Sequence, residues 1–193
     1  MAVFTKGDAP LSAFDYDLPA DLPETIDSVR LTVAAQTVTA ETDGGIITGT
    51  WAGLDLPGPG MYPIRAEVTV GARSQSALVD YLVVDDPDSG WHTLESARDA
   101  WAGAPRSDGD LYRLLDTARY QCEAYAPLLH WTETVPTRYL TAQLMQARAV
   151  WNSIKTDASG VYDDGTGFTL RTFPLDWAVK AILRPVTTRW AVA

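Results

Sequence analysis

Three groups of carboxylates, two histidines and one cysteine are the side chains here whose types and spacing could do chemistry. Asp15 and Asp17 alternate along the chain, which sets them on one face of a strand, a geometry open to glycosidase-type acid and base work. No aromatic cleft accompanies them in sequence, and charge on an edge strand has a plain structural use, that of blocking edge-to-edge pairing. Asp85, Asp86 and Asp88, and further on Asp163 and Asp164, offer the oxygen ligands that calcium takes. The segment opening at Asp157 carries Tyr162 where a calcium-binding helix-loop-helix needs glycine, and Asp-Pro and Asp-Gly are ordinary turn formers. His92 and His130 have no i+4 partner, so the helical zinc pair is absent, and His130 beside Trp131 reads as a structural cap. Cys122 falls on the apolar stripe of a helix, a core position rather than a nucleophile's. There is no Gly-x-Ser-x-Gly elbow and no phosphate-binding loop. The chemistry-bearing residues thus predict no catalytic residue, no metal, no cofactor and no enzyme.

The elements that hold these residues fall into two groups. Residues 1–84 read as strands: Ser28–Val33 and Pro63–Val70 alternate apolar and polar residues, and Gln75–Val84 is rich in β-formers. Asp43-Gly-Gly45, Pro57-Gly-Pro-Gly60 and Gly71 punctuate them, and Trp51 is the expected core anchor. Short strands with turns between them predict an antiparallel β-sandwich. Tyr62, entering a late strand after Gly60, resembles the tyrosine corner of immunoglobulin-like domains. Beyond the polar stretch Asp85–Gly90 the period changes from 2 to 3.6. Helices are expected from Thr93 to Trp101, from Asp108 or Asp110 to Pro127, from Pro136 to about Lys155 and over Leu175–Leu183. The third has an inward stripe of Leu140, Leu144, Ala147, Trp151 and Ile154. Its second apolar stripe, Ala142, Met145 and Ala149, predicts contact with a neighbour. Val161–Phe173 reads as a hairpin or extended loop, and Val186–Ala193 as an extended tail. The expected fold class is therefore α+β and multidomain. An N-terminal antiparallel immunoglobulin-like sandwich over residues 1–85 is followed by a linker at 86–90. A helical bundle over 91–193 then carries the loop and the tail.

Charge divides along the same boundary. Residues 1–90 carry four basic and fourteen acidic residues, so the whole net charge of −10 lies there. Residues 91–193 balance eleven against eleven and hold six of the seven tryptophans. That pairs an acidic solvated part with a neutral aromatic part suited to packing against partners. The acidic balance excludes phosphate-backbone binding as the main activity, though DNA can still pass such a surface. A single cysteine allows no internal disulfide, which suits a reducing cytoplasm. No apolar run approaches a membrane span, and the first residues lack the apolar core of a secretory leader.

The runs Leu94–Trp101, Asp110–Arg119 and Thr137–Arg148 resemble the small helical head-to-tail adaptors of tailed bacteriophages, also called head completion or connector proteins. The closing run Phe173–Pro185 is similar to the end of such proteins in phages of actinobacteria. Thr5–Asp8 and Leu54–Tyr62 resemble immunoglobulin-like domains appended to phage structural proteins. The resemblance implies a mechanical role in the virion neck, for a protein made in the host cytoplasm. Copies would form a homo-oligomeric ring of about twelve subunits beneath the portal, with a stopper or tail-completion protein below and genomic DNA passing through without sequence-specific binding. In that setting Ala142, Met145 and Ala149 are the expected ring interface. The tail, with Arg184, Arg189 and the anchor Trp190, is expected to dock on the portal, and Asp163, Asp164 and Gly165 to meet the lower partner. The simplest adaptors lack the N-terminal domain, for which a brace or decoration is the expected role. The alternative is a receptor- or carbohydrate-binding module on a helical oligomerisation domain, with its ligand site near Trp51; a glycosidase using Asp15 and Asp17 comes third.

Overall fold

The structure is a computed structural model that describes residues 1–20, 26–126, 134–158 and 175–185, with the main chain alone over 155–158. It divides into two units, Met1–Asp86 and Pro87–Ala193.

The first unit holds seven strands: β1 (Ala2–Thr5), β2 (Ala13–Asp17), β3 (Ser28–Val33), β4 (Gln36–Asp43), β5 (Ile46–Thr50), β6 (Gly60–Val70) and β7 (Arg73–Asp85). Their alternation sends Val29, Leu31 and Val33 of β3 inward, where all three are buried, while Ser28 and Arg30 face out. The turns behave as their residues dictate. Gly44 and Gly45 take positive φ between β4 and β5, and Gly71 does so between β6 and β7.

The two-sheet antiparallel sandwich expected from the sequence is not what these strands form. They make one mixed sheet in the order β1-β7-β6-β3-β4-β5-β2, curled into a half-barrel. Two pairings account for the difference. β5 bonds to β4 on one side and to β2 on the other, so the hydrogen-bond ladder runs on where a sandwich would break into two sheets. β1 runs parallel to β7, with Ala2 opposite Leu82 and Phe4 opposite Val84. The curl encloses Phe14, Leu31, Ile47, Trp51, Ile64, Val68 and Leu82. Trp51, 1% exposed, is packed by Phe14 at 4.6 Å between ring centroids and by the edge of Phe4 at 6.4 Å. Such aromatic pairs contribute about 0.5–1.5 kcal/mol beyond their buried area. The Tyr62 hydroxyl donates to the Gly58 carbonyl four residues upstream at 2.7 Å, a bond made here in a single sheet and not at the corner of a sandwich.

The second unit holds α1 (Leu94–Ala100), α2 (Asp108–Tyr125), α3 (Thr137–Ala158) and α4 (Trp177–Leu183). Thr93 caps α1 with a reciprocal bond to Ser96, Ser107 caps α2, and Asp176 caps α4. Among the described residues, two long helices form a pair flanked by two seven-residue helices, not the expected bundle. Trp91, Cys122, Tyr139, Ala142, Leu175, Val179 and Leu183 form one buried cluster of this unit. The expected loop at 161–173 and tail at 186–193 lie outside the described residues.

Candidate interaction surfaces

Among the described residues, those singled out for chemistry are placed where chemistry is poorly served. Asp15 and Asp17 stand on the exposed outer face of β2, not in a cleft. The carboxylates near the unit boundary are engaged locally: Lys6 Nζ meets Asp86 at 3.2 Å, and Asp85 accepts from the Asp86 amide at 3.1 Å. Among the described residues no three His, Cys, Asp or Glu side chains converge as metal ligands would. Half-buried His92 has its Nδ1 3.0 Å from Ser96 Oγ, and burial lowers its pKa from 6.5. Cys122 is buried, and burial with nearby Glu123 pushes its thiol up to about 12, so thiolate chemistry is suppressed. The Tyr16 hydroxyl is also pushed up, by burial and then by Asp80 and Asp15. Trp51 lies inside the half-barrel and offers no platform to a ligand.

The expected ring-contact residues divide. Ala142 is fully buried beside Val179 and Leu183 of α4, and Met145 packs on the same cluster. The second stripe of α3 is thus used within the chain, because α4 folds back onto it. Ala149 is half-buried, and Ile154, expected inward, is 49% exposed. Of the portal-docking set, exposed Arg184 holds its guanidinium 4.7 Å from the centre of the Tyr125 ring, with Lys180 at 5.7 Å from the same ring. Arg189, Trp190, Asp163, Asp164 and Gly165, together with His130, lie outside the described residues.

Two surfaces were not expected from the sequence. Trp177 is 80% exposed at the start of α4. The pattern held the signal: Leu175, Val179 and Leu183 recur every four residues and are buried, which leaves position 177 on the opposite side of the helix. The other surface is the outer face of the β2–β5–β4 ribbon. Asp15, Thr48 and Glu41 lie abreast in one row, and Asp17, Ile46 and Asp43 in the next, all of them exposed. None of these four carboxylates forms an ion pair with a described residue. Ile46, at the middle of its row, is 43% exposed. Beside the ribbon a groove of about 490 Å³ runs between β4 and residues 48–54, lined by Thr39, Glu41, Thr48 and Thr50. It opens because β4 and β5 part after Ala40 and Gly49, where β5 continues along β2.

No protein family, characterised protein or solved structure was found to match the chain.

Proposed function

We propose that the chain is a non-catalytic structural protein of a tailed-phage virion, a head-to-tail adaptor whose copies assemble into a ring between portal and stopper. The observation that carries this reading is Trp177. A tryptophan 80% exposed on a short helix whose other face is fully packed is costly to leave in water and is the side chain most often found at the centre of protein contacts. Three further features support a scaffold role. Each unit has its own buried core. Cys122 is buried, and the His92 ring is held in a local hydrogen bond with Ser96. The acidic sheet face repels a DNA backbone rather than gripping it, as suits a wall that DNA slides past. In the alternative reading, a receptor- or carbohydrate-binding module, the Gly-rich loops near Trp51 would have to form the ligand site without that ring, which is 1% exposed.

Sedimentation velocity and negative-stain microscopy of the purified chain test the reading. Rings of about a dozen subunits are expected, and antibody labelling of virions should mark the junction of head and tail. A chain that stays monomeric and labels no virion sinks it.

A further inference from the structure

We infer that α4 of one copy docks on the acidic outer face of the β2–β5–β4 ribbon of a second copy, with Trp177 as the apolar anchor and Arg184 as its charge partner. This rests on the ring reading above and names the surfaces that would join neighbours.

Two observations, one on each unit, carry it. Neighbouring strands lie about 4.8 Å apart, so the carboxylates that flank each three-residue row stand about 10 Å from one another. Asp15 and Glu41 flank Thr48, and Asp17 and Asp43 flank Ile46. Four carboxylates that form no ion pair with a described residue make a face that repels its own kind and draws positive charge, with Arg30 of the adjacent β3 committed to Glu67. Ile46 gives that face an exposed apolar spot.

The exposed side of α4 has the opposite character. It shows Trp177 and Arg184, with Lys180 half-buried between them. Asp176, its one carboxylate, accepts from the Ala178 amide at 2.9 Å and is used in capping. Tryptophan and arginine are the types that dominate contact energies. Both cations are held against Tyr125, which orders them before a partner arrives and lowers the entropy lost on docking.

The two surfaces are different patches of one chain. Within the ring reading each copy offers its helix to one neighbour and its sheet face to the other, a heterologous contact that gives a ring where the rotation between copies closes. A stable interface covers about 800 Å² per partner, more than a seven-residue helix supplies, so α4 is the anchor within a larger contact.

Sedimentation velocity of the full chain tests this with four exposed-site variants: Trp177→Ala, Arg184→Glu, the pair Glu41→Arg with Asp43→Arg, and the charge swap that combines that pair with Arg184→Glu. Far-UV circular dichroism checks that each stays folded. The first three should each weaken association by about tenfold or more, and the swap should restore it. Wild-type assembly should also weaken at 1 M salt, where the screening length falls to about 3 Å. If the helix variants weaken assembly but the sheet pair does not, and the swap fails to restore it, the helix meets another surface and the assignment is overturned. Assembly indifferent to all four variants overturns the docking while leaving the ring reading intact. A wild-type chain that never assembles removes both.

Discussion

Gln143 Oε1 accepts a hydrogen bond from the His92 main-chain N–H at 3.0 Å, across 51 residues of sequence. The same amide donates through Nε2 to the Leu115 carbonyl, also at 3.0 Å. Gln143 is 1% exposed, so one side chain of α3 satisfies main-chain groups of α2 and of the segment that enters α1. One turn away, Gln146 repeats the device: its Nε2 donates to Gln121 at 2.7 Å, and its Oε1 accepts from the Asp176 amide at 3.3 Å. These two glutamines tie the helical unit together where short α1 and α4 contribute little buried area.

Replacing Gln143 by alanine strands the His92 N–H, while the Leu115 carbonyl keeps its bond within α2. An unsatisfied buried group costs about 1–3 kcal/mol, so a loss of that size is expected in urea unfolding followed by helical circular dichroism. Gln143→Glu should cost more, because it removes the donor and buries a charge. A midpoint unchanged by either substitution would mean that water already serves these groups.

In the sheet unit the tightest point is Gly49. A Cβ built there would lie 2.5 Å from the Phe14 ring and 3.0 Å from the Thr39 carbonyl oxygen. Phe14 is itself held by Trp51, so it cannot swing aside freely. Gly49→Ala should therefore destabilise the unit by about 1–3 kcal/mol, the range for overpacked cores. It should also weaken the near-UV signal of the Trp51 cluster. Gly58→Ala, where an added Cβ meets nothing within 4 Å, is the matched control and should be near neutral.

What the sequence shows and what it hides follow from the range of each interaction. Alternation along Ser28–Val33 and the i, i+3, i+4 pattern of Leu111, Leu115, Ala118 and Cys122 are local, and both elements lie where they are expected. The β3–β4 hairpin gives no such signal. Its turn residues, Ala34 and Ala35, take φ of 47° and 66°, a conformation usually marked by glycine or asparagine. The parallel bond of β1 to β7 joins Ala2 to Leu82, and no periodicity within either segment names its partner. That pairing, with β5 bridging β4 and β2, separates a curled mixed sheet from a sandwich. The same limit governs the site. The two apolar stripes of α3 were readable, but α4's cover over Ala142 was not, so a core residue looked like an interface. The acidic face was hidden for a like reason. Asp15 and Glu41 are 26 positions apart in sequence, and only the pairing of both strands with β5 sets them in one row.

His92 gives the helical unit a pH dependence with a definite sign. Its folded pKa lies below the unfolded value of 6.5, because burial disfavours the imidazolium. As pH falls through 6.5 the unfolded chain takes up a proton before the folded one does. This contribution is therefore complete above 6.5 and is lost as pH drops towards the lowered folded value. Thermal melts at about pH 5 and about pH 7.5 should show lower stability at the acid end, with a smaller difference in His92→Gln. An equal difference in both proteins would assign the effect to carboxylates instead.

Ala142 and Ala149 lie two turns apart on α3 and predict opposite outcomes for one substitution. Ala142 is fully buried against α4, so Ala142→Glu places an unpaired carboxylate in the core of the helical unit. A loss of about 3–5 kcal/mol is expected, with α4 released from α3. Ala149 is only half-buried, and a longer side chain there can reach water. Ala149→Glu should leave stability within about 1 kcal/mol of the wild type. Any loss of assembly in that variant then reports on an interface and not on unfolding. Urea titration and sedimentation of the two variants side by side decide the matter. If Ala142→Glu unfolds at the wild-type midpoint, α4 does not pack on α3 as described. If Ala149→Glu loses as much stability as Ala142→Glu, both positions belong to the core, and α3 leaves little apolar surface for a neighbouring subunit.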